Sequence, residues 1–384
     1  MSASVKAPVS PALLTWARER AGFFDVNALV DKFPLLPSWE KGESIPTLKQ
    51  VEDFAKTVHI AIGFLFLPSP PTEDTPIADF RTIGNLVPHR LSVNLLDTIY
   101  LCQRRQYWYR NYAIENGMTA CDFVKSTTMQ SSHRVIAQGM RERLHFALDT
   151  QKKMKNWEEA LRYLVSCVES CGILVMSSSV VGSNTNRTLK VEECRGFSLS
   201  DEYAPLIFIN SADAKAAQMF TLVHEVAHIW IGQSGISNSI FNSQNAHHVE
   251  RWCNKVAAEF LLPLEEIKEL CKDSKNLCED INVIARTYKV STLVAIIRLK
   301  EAGLLSKEEA RKLYHSESQK HTPLKKSGGG SFFNTLTSRT GRLFLHALLS
   351  STFEAGTLFQ EACRLLSVNK ISTLFKAARK LGIM

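Results

Sequence analysis

The segment Thr221–Trp230, TLVHEVAHIW, constrains the fold most, because it places two histidines four residues apart with a glutamate after the first. Residues i and i+4 lie one turn apart on the same face of an α-helix, so His224 and His228 can direct a ring nitrogen to one ion. A catalytic zinc ion takes three protein ligands and leaves a fourth position for water. Glu225 is placed to accept a proton from that water. The segment therefore predicts a zinc-binding helix that also carries a general base.

A third zinc ligand is expected on a second helix that faces the first. The segment 248–263, HVERWCNKVAAEFLLP, offers Glu250 as that ligand, with Asn254 one turn later. A carboxylate followed at i+4 by a polar residue resembles the arrangement in thermolysin-like enzymes, in which the second residue orients a ligand histidine. His248 and Glu259 are alternative ligands, although Glu259 also fits a packing or capping role. Without a third ligand, a helix with two histidines and no metal remains the competing interpretation.

Residues 8–66 predict a compact helical unit at the amino terminus. The turn Trp39–Thr47, WEKGESIPT, followed by a helix that Thr47 opens, resembles the helix-turn-helix domains of phage repressors. The helix expected to enter the major groove would be Phe33–Ser38. It contains two prolines and none of the Arg, Asn or Gln side chains that read bases. DNA binding and a role in docking or dimerisation are therefore both open for this domain.

The remaining sequence predicts an α+β arrangement. The short apolar segments Gly172–Met176 and Pro205–Ile209 are typical of strands, and a third strand is expected after Gly196. Helices are expected over 134–153, 157–171, 214–232, 248–262 and 281–305. We predict the following boundaries: a helix-turn-helix-like domain over 1–67, a linker over 68–75, a helical region over 76–169, the core that carries the motif over 170–305, a second linker over 306–331, and a basic helical unit over 332–384.

Composition restricts the class of protein further. The chain has 384 residues, of which 45% are hydrophobic and 22% charged, as in ordinary globular proteins. The longest apolar run, Ile60–Leu67, is too short to span a membrane, and the first residues do not have the pattern of a secretion signal. The nine cysteines include no CxxC pair. We therefore expect a cytoplasmic protein with free thiols and no membrane partner.

The net charge of +8 is concentrated near the carboxyl terminus. From residue 320 onward, ten basic residues face two acids, and 10 − 2 equals the whole net excess. A basic tail of this kind is expected to attract nucleic acid or an acidic partner. A solvated basic face on small helices is the alternative. The basic residues are Lys320, Lys325, Lys326, Arg339, Arg342, Arg364, Lys370, Lys376, Arg379 and Lys380.

Several segments together resemble the ImmA/IrrE family of zinc metallopeptidases. They are Pro205–Asn210, the helix with the two histidines, Glu250–Pro263 and Ile284–Leu299. The resemblance implies a mostly helical zincin-like core with a small β-sheet, and the helix-turn-helix-like domain that precedes it is a common companion in that family. The small helical unit that follows the core is not part of the resemblance. The ending AEFLLP differs conservatively from the ELLMP that is frequent in the family.

The resemblance also implies roles for individual residues. Zn²⁺ would be held by His224, His228 and Glu250, with Asn254 supporting the ligands, and Glu225 would be the catalytic base. A further donor should stabilise the oxyanion. Tyr203 and Arg195 are candidates for it, although the sequence favours a packing role for the tyrosine and a surface position for the arginine.

Two functions of different classes follow from the sequence. The first is a regulatory endopeptidase that cleaves a specific protein, such as a transcriptional repressor or an antitoxin. The second is a DNA-binding or protein-binding regulator, such as the antitoxin-like component of a toxin–antitoxin or phage-defence system, with a structural or weakly active zinc site. Glu225 favours the first function, because a structural metal site has no need of a general base. The basic tail and the amino-terminal domain are the features that favour the second.

Overall fold

The computed structural model describes residues 5–71, 76–79, 91–237, 248–271, 277–319 and 331–384. These residues form two compact units. The first unit extends to residue 76 and includes 91–97, and the second contains 77–79 and everything from Thr98 onward. The described residues leave out part of each predicted linker, 72–75 of the first and 320–330 of the second. Three of the basic residues named above, Lys320, Lys325 and Lys326, lie in the second of these parts.

The first unit is helical. It contains α1 (Pro11–Arg20), α2 (Leu36–Glu40), α3 (Leu48–Thr57) and two 3-10 helices, Val26–Leu29 and Ile62–Phe66. Thr47 and Gln50 form a capping box at the start of α3, as the turn sequence predicts. The core is built from Leu13, Leu14, Leu36, Trp39, Val51 and Phe54.

The short helix α2 differs from the helix expected at Phe33–Ser38. It begins three residues later, with Pro37 in its first turn, where proline costs no hydrogen bond. Trp39 is buried in the core of the unit and Phe33 packs beside it, so neither side chain is available to a groove. DNA binding by this unit stays a prediction.

The second unit combines many helices with two small sheets. Its elements, in chain order, are β1 (Ala78–Asp79), α4 (Val93–Glu115, which starts in the first unit), α5 (His133–Arg143), α6 (Leu148–Lys153), α7 (Trp157–Ser170), β2 (Leu174–Ser178), β3 (Val180–Val181), β4 (Asn184–Thr188), β5 (Gly196–Leu199), β6 (Leu206–Asn210), α8 (Lys215–Trp230), β7 (Gly235–Ser237), α9 (His248–Leu261), α10 (Leu264–Leu270), α11 (Leu277–Tyr288), α12 (Thr292–Glu301), α13 (Lys307–Gln319), α14 (Phe332–Thr340), α15 (Arg342–Phe353), α16 (Phe359–Leu366) and α17 (Ile371–Leu381). None of the described helices is long and apolar enough to cross a membrane.

The larger sheet has five strands in the order β1-β7-β5-β6-β2. Strand β5 runs antiparallel to both of its neighbours, whereas β2 is parallel to β6 and β1 is parallel to β7. The strands β2, β5 and β6 correspond to the three apolar segments that the sequence predicts as strands. A small mixed sheet among many helices confirms the α+β class.

Three segments differ from the sequence-based expectation. The stretch 281–305, expected as one helix, is divided into α11 and α12, and Lys289 between them has a φ of 56°. The stretch 134–153, expected as one helix, is divided into α5 and α6. The division falls at His145, which has a φ of 50°, a conformation outside the helical region, while Leu144 and Phe146 on either side are buried. In the segment expected as the second linker, Lys307–Gln319 forms α13, which packs against α12 through an apolar face that includes Ala310 and Leu313.

The carboxyl-terminal helices α14 to α17 are packed into the second unit, and α14 and α15 contact β2. Arg105 of α4 is fully buried beneath them. Its guanidinium donates hydrogen bonds to the carbonyl of Leu365 (2.8 Å) and to the carbonyl of Arg339 (3.1 Å). These two carbonyls belong to the last turns of α16 and α14, where the helix dipole favours a cation. Burial lowers the pKa of Arg105 to about 10.

Candidate metal centre and catalytic site

Helix α8 carries the two histidines through the centre of the second unit. Every residue from Gln218 to Trp230 is buried, which is typical of a helix surrounded by other elements rather than lying on a surface. It packs against α7, α9, β5 and β6. The helix ends before Gly232, whose φ of 70° and close approach to Lys125 leave no room for a side chain. This stop turns the chain back into β7.

The side chains of His224, His228 and Glu250 converge on one point. The two Nε2 atoms of the histidines lie 3.1 Å apart. Glu250 Oε2 is 3.2 Å from His224 Nε2, and Glu250 Oε1 is 3.0 Å from His228 Nε2. These three residues form the one group of possible metal ligands found among the described residues. Helix α9 supplies the carboxylate from the position at which the sequence predicts it.

The size of this triangle fits a zinc ion. Ligands about 2.0–2.1 Å from a tetrahedral zinc are separated from one another by about 3.3 Å. The separations of 3.0–3.2 Å, to which Glu250 contributes a different oxygen for each histidine, lie slightly below that value. Two imidazoles and one carboxylate also form a donor set that suits zinc and leaves one coordination position open. The residues therefore fit the metal that the sequence predicts.

Charge at the cluster favours a cation. Burial alone would raise the pKa of Glu250, but the charges and hydrogen bonds of His224 and His228 outweigh it and lower that pKa well below the usual range. Burial alone would lower the pKa of His224, but Glu250 reverses the effect. The three side chains are almost completely excluded from water, with exposed fractions of 0%, 0% and 3%. A buried carboxylate anion beside two imidazoles is stable only with positive charge among them.

Glu225 lies beside the cluster and is held by a contact that the sequence does not predict. Ser237 Oγ in β7 donates a 2.6 Å hydrogen bond to Glu225 Oε1. The other oxygen, Oε2, is buried and has no hydrogen-bond partner among the described residues. Burial raises the pKa of Glu225, and the histidines and Ser237 oppose that rise. One oxygen is thus fixed and the other is available to accept a proton.

Close packing of β5 on α8 also positions Glu225. A Cβ added to Gly196 at the start of β5 would lie 3.3 Å from Glu225 Oε1 and only 2.6 Å from the side chain of Thr221. A glycine is needed here because the strand approaches the helix so closely. Neither Gly196 nor Ser237 belongs to a recognisable motif, so sequence reasoning gave no signal for them.

Asn254 lies one turn after Glu250 on α9, near the ring of His224. Hydrogen bonding from Asn254 contributes to the raised pKa of that ring. However, Asn254 Oδ1 has no partner of hydrogen-bond geometry among the described residues. Asn254 is therefore close to the ligand His224, but its Oδ1 forms no hydrogen bond with the ring.

The two alternative ligands are placed elsewhere. His248 is exposed at the first position of α9. Glu259 is buried but forms an ion pair with Arg298, which also binds Glu301 at 2.7 Å and the carbonyl of Leu262 at 2.8 Å. Glu259 therefore stabilises the packing of α9 against α12 and does not join the cluster.

The two candidate oxyanion donors have structural contacts. Arg195 forms an ion pair with Asp213 at 3.2 Å. Tyr203 lies with its ring 5.9 Å from the guanidinium of Arg110. These contacts agree with the surface arginine and packing tyrosine that the sequence leaves open as alternatives.

Two family models match parts of the chain. Residues 168–300 match a peptidase family described as the IrrE N-terminal-like domain. This range contains His224, Glu225, His228 and Glu250, so the match supports the resemblance to the ImmA/IrrE family and indicates a metallopeptidase of that type. Residues 340–380 match a domain of unknown function (DUF8813). No curated protein matches the chain. The predicted amino-terminal helix-turn-helix lies outside both matches.

Proposed function

We propose that the chain is a zinc-dependent endopeptidase that cleaves a specific protein partner, such as a transcriptional repressor or an antitoxin. The observation that carries the proposal is the position of Glu225, a buried carboxylate beside a three-ligand cluster. A structural metal site usually has four protein ligands and no base next to the ion. Among the described residues, this cluster has three ligands, and beside it Glu225 has one carboxylate oxygen without a hydrogen-bond partner.

The chemistry divides among the side chains as follows. His224, His228 and Glu250 would hold the ion, which would supply Lewis acidity for the peptide carbonyl and for the attacking water. Glu225 accepts the proton of that water at Oε2 and passes it to the departing amine. Ser237 keeps Glu225 Oε1 in place, so that the free oxygen points in a fixed direction.

The partner and the compartment are part of the proposal. A helical amino-terminal unit joined to a peptidase core suits an enzyme that recognises one regulatory protein and does not digest proteins in general. The eight described cysteines are free thiols, which suits the cytoplasm. Exposed basic residues on α15 to α17 support attraction to an acidic protein surface or to DNA.

The proposal can be tested by comparing the wild type with Glu225→Gln in cells. The variant keeps the shape of the side chain but cannot accept a proton, so zinc content should be unchanged while cleavage is lost. Newly formed protein amino termini would be identified by mass spectrometry in both strains. Termini that appear with the wild type alone identify the substrate. Equal sets of termini, with zinc bound in both proteins, would favour the binding-regulator function instead.

A further inference from the structure

Strand β7 lies next to the proposed catalytic base. Its last residue, Ser237, contacts Glu225, and its three residues pair with β5 along one edge, with Gly196 opposite Ser237 and Phe197 opposite Ile236. The other edge of β7 faces away from β5, so a further strand added to it lies next to the strand that contacts Glu225. Unpaired strand edges bind extended peptides through backbone hydrogen bonds.

This edge of β7 is occupied by the chain itself. Residues Ala78 and Asp79 form β1 and pair in parallel with β7, with Ala78 opposite Gly235 and Asp79 opposite Ile236. The preceding Ile77 is buried, with an exposed fraction of 9%. The segment 77–79 follows directly after the proline-containing stretch that joins the two units in the sequence. A connecting segment thus serves as the outermost strand of the sheet.

The burial of the cluster shows that a substrate cannot reach it in this arrangement. His224, Glu225 and His228 have no exposed surface, and Glu250 has 3%. An endopeptidase needs its substrate in an extended conformation with the scissile carbonyl beside the base. Some part of the surroundings must therefore move before a peptide is bound.

We propose that residues 77–79 act as an internal strap on the outer edge of β7, and that an extended segment of the protein substrate takes this edge when the strap leaves it. The inference rests on the proposed peptidase function. Among the described residues, the strap pairs with two of the three residues of β7, so an extended peptide that pairs along all three can form more backbone hydrogen bonds with the same edge. A partner that draws the connecting segment away would switch the enzyme on.

A proline pair tests the strap directly. Successive residues of a strand point their N–H groups to opposite sides, so replacing both Ala78 and Asp79 by proline removes whichever N–H faces β7. Ser69→Pro is the matched control, because it lies in the same connecting stretch, is exposed and is outside the strand. The amides of 235–237 should exchange with deuterium faster in the double variant than in the wild type or the control. Cleavage of dye-labelled casein, which offers many extended segments, should rise about tenfold in the double variant alone.

A reversible lock keeps the test valid if the proline variant folds poorly. Asp79→Cys combined with Ile236→Cys places two thiols opposite each other in the pairing of β1 with β7. Oxidation should fix the strap and suppress casein cleavage, and a reductant should restore it in the same sample. Ile236→Cys alone controls for effects of the oxidant on the native cysteines.

The outcomes separate the strap from the peptidase function. The strap is overturned if the amides of 235–237 exchange with deuterium at the same rate in the proline variant as in the wild type. It is also overturned if the wild type cleaves casein and the proline variant shows faster exchange without faster cleavage. If no form cleaves casein, the strap is judged independently of the peptidase function, by a synthetic peptide with the sequence of residues 74–83. Protection of the 235–237 amides by this peptide in the proline variant supports the docking edge, and no protection overturns it.

Discussion

Replacing Gly196 by alanine should destabilise the second unit and disturb the site. The added Cβ would lie 2.6 Å from Thr221 Cγ2, 2.9 Å from the carbonyl oxygen of Phe208 and 3.3 Å from Glu225 Oε1. The carbonyl belongs to the backbone of the neighbouring strand β6, so it cannot rotate away. Overpacking of this kind costs about 1–3 kcal/mol of unfolding free energy. In a unit of this size, that lowers the thermal midpoint by roughly 2–4 °C per kcal/mol.

Gly139→Ala provides a matched control, for which the expected change in unfolding free energy has the opposite sign. Gly139 is exposed in the interior of α5, and its added Cβ would meet nothing within 4 Å. Alanine stabilises such a helix position by about 0.5–1 kcal/mol. Thermal unfolding by circular dichroism would compare the two variants with the wild type. If Gly196→Ala is as stable as the wild type, the close contact between β5 and α8 described above is wrong.

Three further substitutions give distinct expected results. Ser237→Ala removes the hydrogen bond to Glu225 and should lower kcat about tenfold or more, with zinc content and KM unchanged; loss of zinc would contradict a positioning role. Glu169→Gln removes a carboxyl group whose pKa burial raises to about 7. Because the pKa of Glu169 is higher in the folded state than in the unfolded state, the wild type loses stability as the pH rises from about 4.5 to 7. In urea titrations, the variant should therefore be more stable than the wild type by about 2–3 kcal/mol at about pH 8, and similarly stable at low pH. Arg105→Met leaves two carbonyls unpaired and should cost about 2 kcal/mol, with faster hydrogen exchange at the ends of α14 and α16; unchanged exchange there would refute its bridging role.

Local spacing predicted the part of the site that one helix determines. His224 and His228 lie on one face because four residues make about one turn, and Glu250 was within reach because a facing helix carries a carboxylate. The sequence favoured Glu250 but left Glu259 open, and what excludes Glu259 is its ion pair with Arg298, a residue 39 positions further along the chain. Sequence spacing does not contain such a contact.

Other contacts that sequence reasoning missed depend on short elements. Strand β7 has three residues and β1 has two, too few for an alternating pattern to be recognised. Ser237 therefore had no signal that would place it beside Glu225. The interruption between α5 and α6 was missed because His145, a residue without special turn propensity, takes a left-handed conformation there. The α+β class was predictable because the buried strands β2, β5 and β6 are continuous apolar segments or follow a glycine turn.

The measurement that tests the central claim most directly is the zinc content of purified variants. The account predicts about one zinc per chain in the wild type, in Glu225→Gln and in His248→Gln, because neither of the latter side chains belongs to the triangle of ligands. Glu250→Gln should lose most of the metal, because its carboxylate is the only anionic ligand of the three. Full zinc content in Glu250→Gln, or its loss in His248→Gln, would contradict the site described here.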